Sequence, residues 1–146
     1  MLSGACLCGR VRYEIAARPR FMYRCYCGKC RAVSGAAYVT NIIVDADSFR
    51  ITAGKDSLAA FESSPNKYRH FCSGCGAPIY SQGDRTRHVV SVRCGTLRQD
   101  PGVRLAYHAF VGSKAPWVEI RDDRPQFADW PDPALVKQLF AQGGSA

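Results

Sequence analysis

Three cysteines within six residues, Cys25-Tyr26-Cys27-Gly28-Lys29-Cys30, constrain this chain more than any other feature. Cys6-Leu7-Cys8-Gly9 lies upstream, Cys72-Ser73-Gly74-Cys75-Gly76 lies downstream, and Cys94 stands alone. Tight C-x-C and C-x-x-C groups read as metal ligands in a reducing compartment, where disulfides do not persist. Three thiolates on one zinc ion leave its fourth tetrahedral position free for water or substrate, the arrangement of a working metal centre; four close it.

Spacing limits what each group can do. In C-x-C the two side chains fall on one face of an extended strand, so Cys6 and Cys8 can reach one ion without a special turn. In C-x-x-C the chain must turn, and a following glycine lets the backbone bring its amides to the sulfurs; Cys75-Gly76 and Cys8-Gly9 both fit. One sorting gathers Cys6, Cys8, Cys72 and Cys75 into a closed structural site that pins the first strand to a distant hairpin. It leaves Cys25, Cys27 and Cys30 on an open, catalytic zinc. A second sorting joins Cys27 and Cys30 to Cys72 and Cys75 as a zinc ribbon, leaving Cys6, Cys8 and Cys25 over. In a third, Cys94 closes the open site.

The 146 residues suit a single domain over 1–146, with its zinc-binding core over about 3–128. At 47% hydrophobic and 22% charged, the chain has an ordinary globular composition. No apolar run approaches the roughly 18 to 20 residues of a membrane span, and Met1 to Arg10 lacks the apolar core of a secretory signal, so the cytoplasm is the expected location. The formal charge of +8 overstates the basicity, because zinc-binding cysteines act as thiolates. Such a balance suits a small anionic substrate or a nucleic-acid backbone.

Arg10-Val11-Arg12-Tyr13-Glu14-Ile15 alternates charged and apolar residues as a half-buried strand does. Short strands follow at Phe21 to Arg24, Ala37 to Val44, Phe49 to Thr52, Leu58 to Glu62, Tyr68 to Phe71, Pro78 to Ser81, His88 to Arg93 and Arg104 to Phe110. Turn residues separate them, with Ser34-Gly35 breaking the chain after the central cysteines. Strand succeeds strand with no helix between, so the fold class is mainly β, in several short antiparallel sheets. The one helix is C-terminal, about 133–142. Asp132 caps it, Pro133 opens it, and Leu135, Val136, Leu139 and Phe140 form the face that packs on a sheet; Gly143 ends it, and Gly143-Gly144-Ser145-Ala146 should fray.

Three stretches carry a resemblance: Gly4-Ala5-Cys6-Leu7-Cys8-Gly9-Arg10-Val11-Arg12-Tyr13, then Cys25 to Cys30, then Phe71-Cys72-Ser73-Gly74-Cys75-Gly76-Ala77-Pro78-Ile79. Together they resemble the glutathione-dependent formaldehyde-activating enzyme family, which includes centromere protein V-like proteins. Gly95-Thr96-Leu97 and Lys114-Ala115-Pro116-Trp117 match its later motifs. The resemblance implies coiled β-sheets around zinc and condensation of glutathione with formaldehyde to S-hydroxymethylglutathione, classed as a carbon–sulfur lyase for the reverse reaction. It implies structural zinc ligands at Cys6, Cys8, Cys72 and Cys75, and catalytic ones at Cys25, Cys27 and Cys30. The family's central motif usually reads Cys-His-Cys, and here Tyr26 stands in the middle. Tyrosine, with a pKa near 10, is a poor proton shuttle at neutral pH.

Arg24, Lys29 and Arg31 flank the cluster and could hold a carboxylate of a glutathione-like ligand; Lys114 and Trp117 could line the pocket. His70, His88 and His108 are expected to be solvent-facing or satisfied in the core. The sequence reads as a two-zinc enzyme acting on adducts of a small anionic thiol such as glutathione with formaldehyde or another small aldehyde. The rival reading is a non-enzymatic zinc module for nucleic acid or a protein. Aromatic and basic residues do not alternate along any one strand as a base-stacking platform requires, so nucleic acid is not the expected partner.

Overall fold

The computed structural model describes residues 1–142. Ten strands and two helices follow in the order β1 (Leu2–Ala5), β2 (Arg12–Ile15), β3 (Phe21–Cys25), α1 (Gly28–Ser34), β4 (Val39–Asp45), β5 (Phe49–Ala53), β6 (Leu58–Ser64), β7 (Lys67–Cys72), β8 (Pro78–Gly83), β9 (Val89–Arg93), β10 (Leu105–Ala109) and α2 (Pro133–Gln142). The nine strands read from alternation and turn residues are all present. The expected fraying of Gly143-Gly144-Ser145-Ala146 lies outside the described residues.

The strands form two sheets, one of three in the order β1-β2-β5 and one of seven in the order β10-β3-β4-β9-β8-β7-β6. Every pair is antiparallel except β10 with β3, which runs parallel; this corrects the expectation of purely antiparallel sheets. Parallel neighbours need a long crossover, and the 79 residues between β3 and β10 supply it.

Period-2 alternation sorts the large sheet into two faces. Ile42 and Val44 of β4 and Val90 and Val92 of β9 point one way and pack with Tyr13 and Ile15 of β2, the main core between the sheets. Phe21 of β3 and Tyr107 of β10 point the other way and meet Leu135, Leu139 and Phe140 of α2. The terminal helix is thus a brace on the large sheet, as its apolar face implies. Arg20 fastens it, pairing with Asp45 at 2.6 Å and donating from Nη1 to the Phe140 carbonyl at 3.3 Å.

Two elements were absent from the sequence reading. Strand β1 is four residues long and contains Ser3 and Gly4, which carry no strand signal. Helix α1 corrects the statement that no helix separates the strands. It has no apolar period, and only its ends announce it: Cys27 is the N-cap, its Sγ accepting from Cys30 N at 3.3 Å, and Gly35 closes it in the left-handed region at φ 63°. Ser34-Gly35, read as a chain break, is the end of this helix.

Candidate metal centre

The eight cysteines are all free thiols, and seven fall into two groups. Cys6, Cys8, Cys72 and Cys75 have their sulfurs within 4.8 Å of one another, as do Cys25, Cys27 and Cys30. The ribbon-like sorting is not formed. Cys94, at the end of β9, joins neither group among the described residues; it packs against the main core, and burial pushes its thiol up to about 11.

The four-sulfur group is built from two turns. Cys6 to Gly9 is a tight turn, Gly9 N donating to Cys6 O at 3.1 Å with Gly9 at φ 74°, so the C-x-C pair reaches one point through a turn and not along an extended strand. Cys72 to Gly76 is the second, closed by Gly76 N on Cys72 O at 2.7 Å. Sulfurs of Cys6 and Cys8 are 3.6 Å apart, and those of Cys8 and Cys72 are 3.8 Å apart. A tetrahedron with zinc–sulfur bonds of about 2.3 Å has edges of about 3.8 Å, so this donor set fits zinc. Val11 N donates to Cys6 Sγ at 3.2 Å, and backbone donors, chiefly Ala77 N, hold the Cys75 thiol down to about 6.

The three-sulfur group sits where β3 runs into α1. Cys25 ends the strand, Cys27 caps the helix and Cys30 lies in its first turn, so the strand end and the helix start aim three sulfurs at one point. Cys25 and Cys30 are buried and Cys27 is half-buried, with Val39, Tyr23 and Phe110 packed around them. Phe110 holds a left-handed backbone at φ 59°, with its N–H on the Asp129 carbonyl at 2.9 Å. The Cys25 thiol and then the Arg69 guanidinium drive the Cys30 thiol well below its ordinary value, and the same contact pushes Cys25 up. Both terminal nitrogens of Arg69 stand 3.7 Å from Cys30 Sγ.

Tyr26 lies between two of these cysteines and is 1% exposed. Its hydroxyl is 2.9 Å from His108 Nδ1, and His108 Nε2 is 2.9 Å from Asp122 Oδ1. His108 is fully buried, a satisfied core histidine as anticipated, yet the three-residue chain itself has no sequence signature because its members lie on separate segments. His70 of β7 stacks on Tyr80 at 4.1 Å, and His88 lies in the turn before β9.

Residues flanking the cluster in sequence end up in different places. The Arg24 guanidinium lies 4.6 Å over the Tyr38 ring, on the sheet face opposite to that of Cys25. Lys29 reaches Ser64 Oγ at 2.6 Å, and Arg31 Nε donates to the Tyr26 carbonyl at 3.3 Å. Lys114 is folded back on the carbonyl of Val118, and Trp117 is 73% exposed. Arg69, Arg93 and Lys67, from strands distant in sequence, are the cations that the sheet brings to the face of Cys25. No short-range pattern marks them.

Among the described residues no helix is long and apolar enough to cross a membrane. The family profile described as glutathione-dependent formaldehyde-activating enzyme matches residues 1–113. A relative from Halomonas elongata, its name as such an enzyme still provisional, is 30% identical over 94% of this chain and 93% of its own length. One from Fusarium vanettenii, under the same provisional name, is 26% identical over 94% of this chain, which spans 62% of that protein. The crystal structure of a Rhodobacter sphaeroides protein shares the fold with a TM-score of 0.57 at 23% identity, over 70% of this chain and 90% of the other.

Proposed function

The chain belongs to the glutathione-dependent formaldehyde-activating enzyme family, and from that premise we propose that it makes and breaks the carbon–sulfur bond between a small anionic thiol such as glutathione and formaldehyde or another small aldehyde. In the synthetic direction the S–H adds across the carbonyl: the sulfur bonds to carbon and the proton ends on the former carbonyl oxygen. Nothing is oxidised. In the reverse direction the reaction is that of a carbon–sulfur lyase.

One observation carries this reading: Cys25, Cys27 and Cys30 converge with no fourth protein ligand among the described residues, while Cys6, Cys8, Cys72 and Cys75 form a complete set of four. Both sets suit zinc, one open and one closed. A zinc ion at the open set would supply Lewis acidity and lower the pKa of a thiol that reached it. Cys25, Cys27 and Cys30 are the residues we assign to the catalytic centre. Tyr23, Val39 and Phe110 wall it against water on the sheet side, and the burial of Cys25 and Cys30 leaves Cys27 as its most open edge. Lys29 and Arg31, both on α1, are the cations of the flanking set that stay near the rim, and a carboxylate of the thiol would meet them there. Free thiols in such number demand a reducing compartment, for which we propose the cytoplasm.

The test is the rate of exchange between free glutathione and S-hydroxymethylglutathione, read by NMR with labelled formaldehyde, for the wild type and Cys27→Ser. Acceleration by the wild type alone is expected. If both proteins leave the uncatalysed rate unchanged, the reaction is not this one.

A further inference from the structure

Two guanidiniums, Arg93 buried and Arg69 half-buried, lie on the face of the large sheet that carries the open cysteine cluster, and no carboxylate pairs with either among the described residues. Arg69 places Nε on Ser63 Oγ at 2.8 Å and turns both remaining nitrogens to Cys30 Sγ. Arg93 is 5% exposed; its Nη1 donates to Asn41 Oδ1 and its Nε is buried without a partner. The strand register explains their meeting. Tyr23, Asn41 and Arg93 form one row across β3, β4 and β9, and Ser91, Ser81 and Arg69 form the next across β9, β8 and β7. Lys67, two residues from Arg69 along β7, adds a third cation to this face.

Like charges sharing one face repel, and burial strips hydration from Arg93 almost wholly and from Arg69 in part, so an anion within reach stabilises the arrangement. The Cys30 sulfur is in contact with Arg69, and Cys25 lies one row beyond Tyr23 on the same face. We infer that Arg69 and Arg93 are the built-in counter-charge of the three-thiolate centre, and that Arg69 enables it to accept one further thiolate. This rests on the reading that Cys25, Cys27 and Cys30 hold a divalent ion. Such an ion on three thiolates carries one net negative charge, and a fourth thiolate, its proton released to solvent, doubles that charge beside a low-dielectric wall. Arg69 offsets it at the sulfurs. Its fork is already spent on Cys30, and Arg93 is closed off from solvent, so neither is offered to the body of the incoming molecule. The effect is therefore the same for any thiol, whatever else that thiol carries.

The test uses cobalt(II)-substituted protein, whose visible and sulfur-to-cobalt charge-transfer bands report ligation without turnover. Wild type, Arg69→Gln and Arg69→Lys are titrated with glutathione and with 2-mercaptoethanol, which has no carboxylate. Two bound cobalt ions are expected in each protein. Arg69→Gln should weaken both thiols alike, by about tenfold, the scale of one lost charge-assisted contact, with Arg69→Lys between it and the wild type. Should Arg69→Gln not fold, Arg69→Lys carries the test with a few-fold loss for both thiols. Weakening of glutathione alone would make Arg69 a carboxylate ligand and overturn the inference, as would unchanged affinity for both. A wild type that takes up a single cobalt ion removes the open metal centre itself, and the inference with it.

Discussion

The hydroxyl of Tyr26 meets Nδ1 of the buried His108 at 2.9 Å, so the residue in the middle of the central cysteine motif is turned toward a histidine on β10 and not toward the sulfurs beside it. Alternation along β3 sends it there: Cys25 faces α2's side of the sheet, and the next residue faces the other. Tyr26→Phe is therefore expected to leave zinc content unchanged and thiol–aldehyde exchange within about twofold. It should cost about 1 kcal/mol of stability for the lost hydrogen bond. Metal analysis and thermal melts on the same preparation check both parts.

Asp122 completes that chain, and its hydrogen bond with His108, followed by the Arg124 N–H, holds its carboxyl below the ordinary range. A depressed carboxyl contributes stability that is complete above its ordinary pKa and is lost as pH falls through the depressed one. Asp122→Asn should melt below the wild type by a constant margin from pH 5 to 8, and the margin should close in acid. A margin that grew with acid would contradict the assignment.

The two cysteine groups should respond differently to substitution. Cys72→Ser removes a buried sulfur of the four-sulfur group, at the point where the three-stranded and seven-stranded sheets are tied, and is expected to give a protein that melts broadly or fails to fold. Cys27→Ser removes a half-buried sulfur of the three-sulfur group at a helix cap and, on the proposed reading, should leave a folded protein short of one zinc. Zinc per chain and circular dichroism of the two variants decide the point.

Cys94 should be the slow thiol of the zinc-loaded protein. Its burial against the core pushes the pKa to about 11, so alkylation at neutral pH is slow and accelerates as pH rises, because the thiolate is the reactive form. Chelation is expected to open the seven thiols of the two groups to alkylation besides it. Mass spectrometry of alkylated peptides before and after chelation gives the count.

Gly4 sits over the Tyr13 ring, and a Cβ built there falls 2.1 Å from Tyr13 Cζ. The ring is itself fixed, its hydroxyl 2.7 Å from Thr96 Oγ1. Gly4→Ala should thus destabilise by about 1 to 3 kcal/mol, the range for overpacking, and lower the melting temperature by several degrees. An unchanged melt would mean that β1 can shift away from β2.

What the sequence disclosed follows the range of the interactions involved. Strands such as β9 were legible because alternation and turn residues act locally, and α2 because its apolar residues repeat at helical spacing. Helix α1 was hidden because seven residues opening on glycine and held between Cys27 and Gly35 carry no period. The parallel docking of β10 on β3 was hidden for another reason: strand order across a sheet is a long-range choice. The same distinction governs the site. Nearness along the chain pointed to Arg24, which the pleat turns away, while Arg69 and Arg93 arrive through the register of four strands and could not be read from neighbours in sequence.

The tie between the first and second halves of the chain also has an order in time. Cys8 and Cys72 are 64 residues apart, and β5, the third strand of the small sheet, likewise follows long after β1 and β2. At about 5 to 20 residues per second, a nascent chain would carry Cys6 and Cys8 for several seconds before their partners left the ribosome. During that interval the pair is open to oxidation and to capture by the wrong sulfurs, including the three of the nearer cluster. The long span that fastens the finished molecule is thus also the step at which its biosynthesis is most exposed, and oxidation during synthesis should cost more of this protein than oxidation after it has folded.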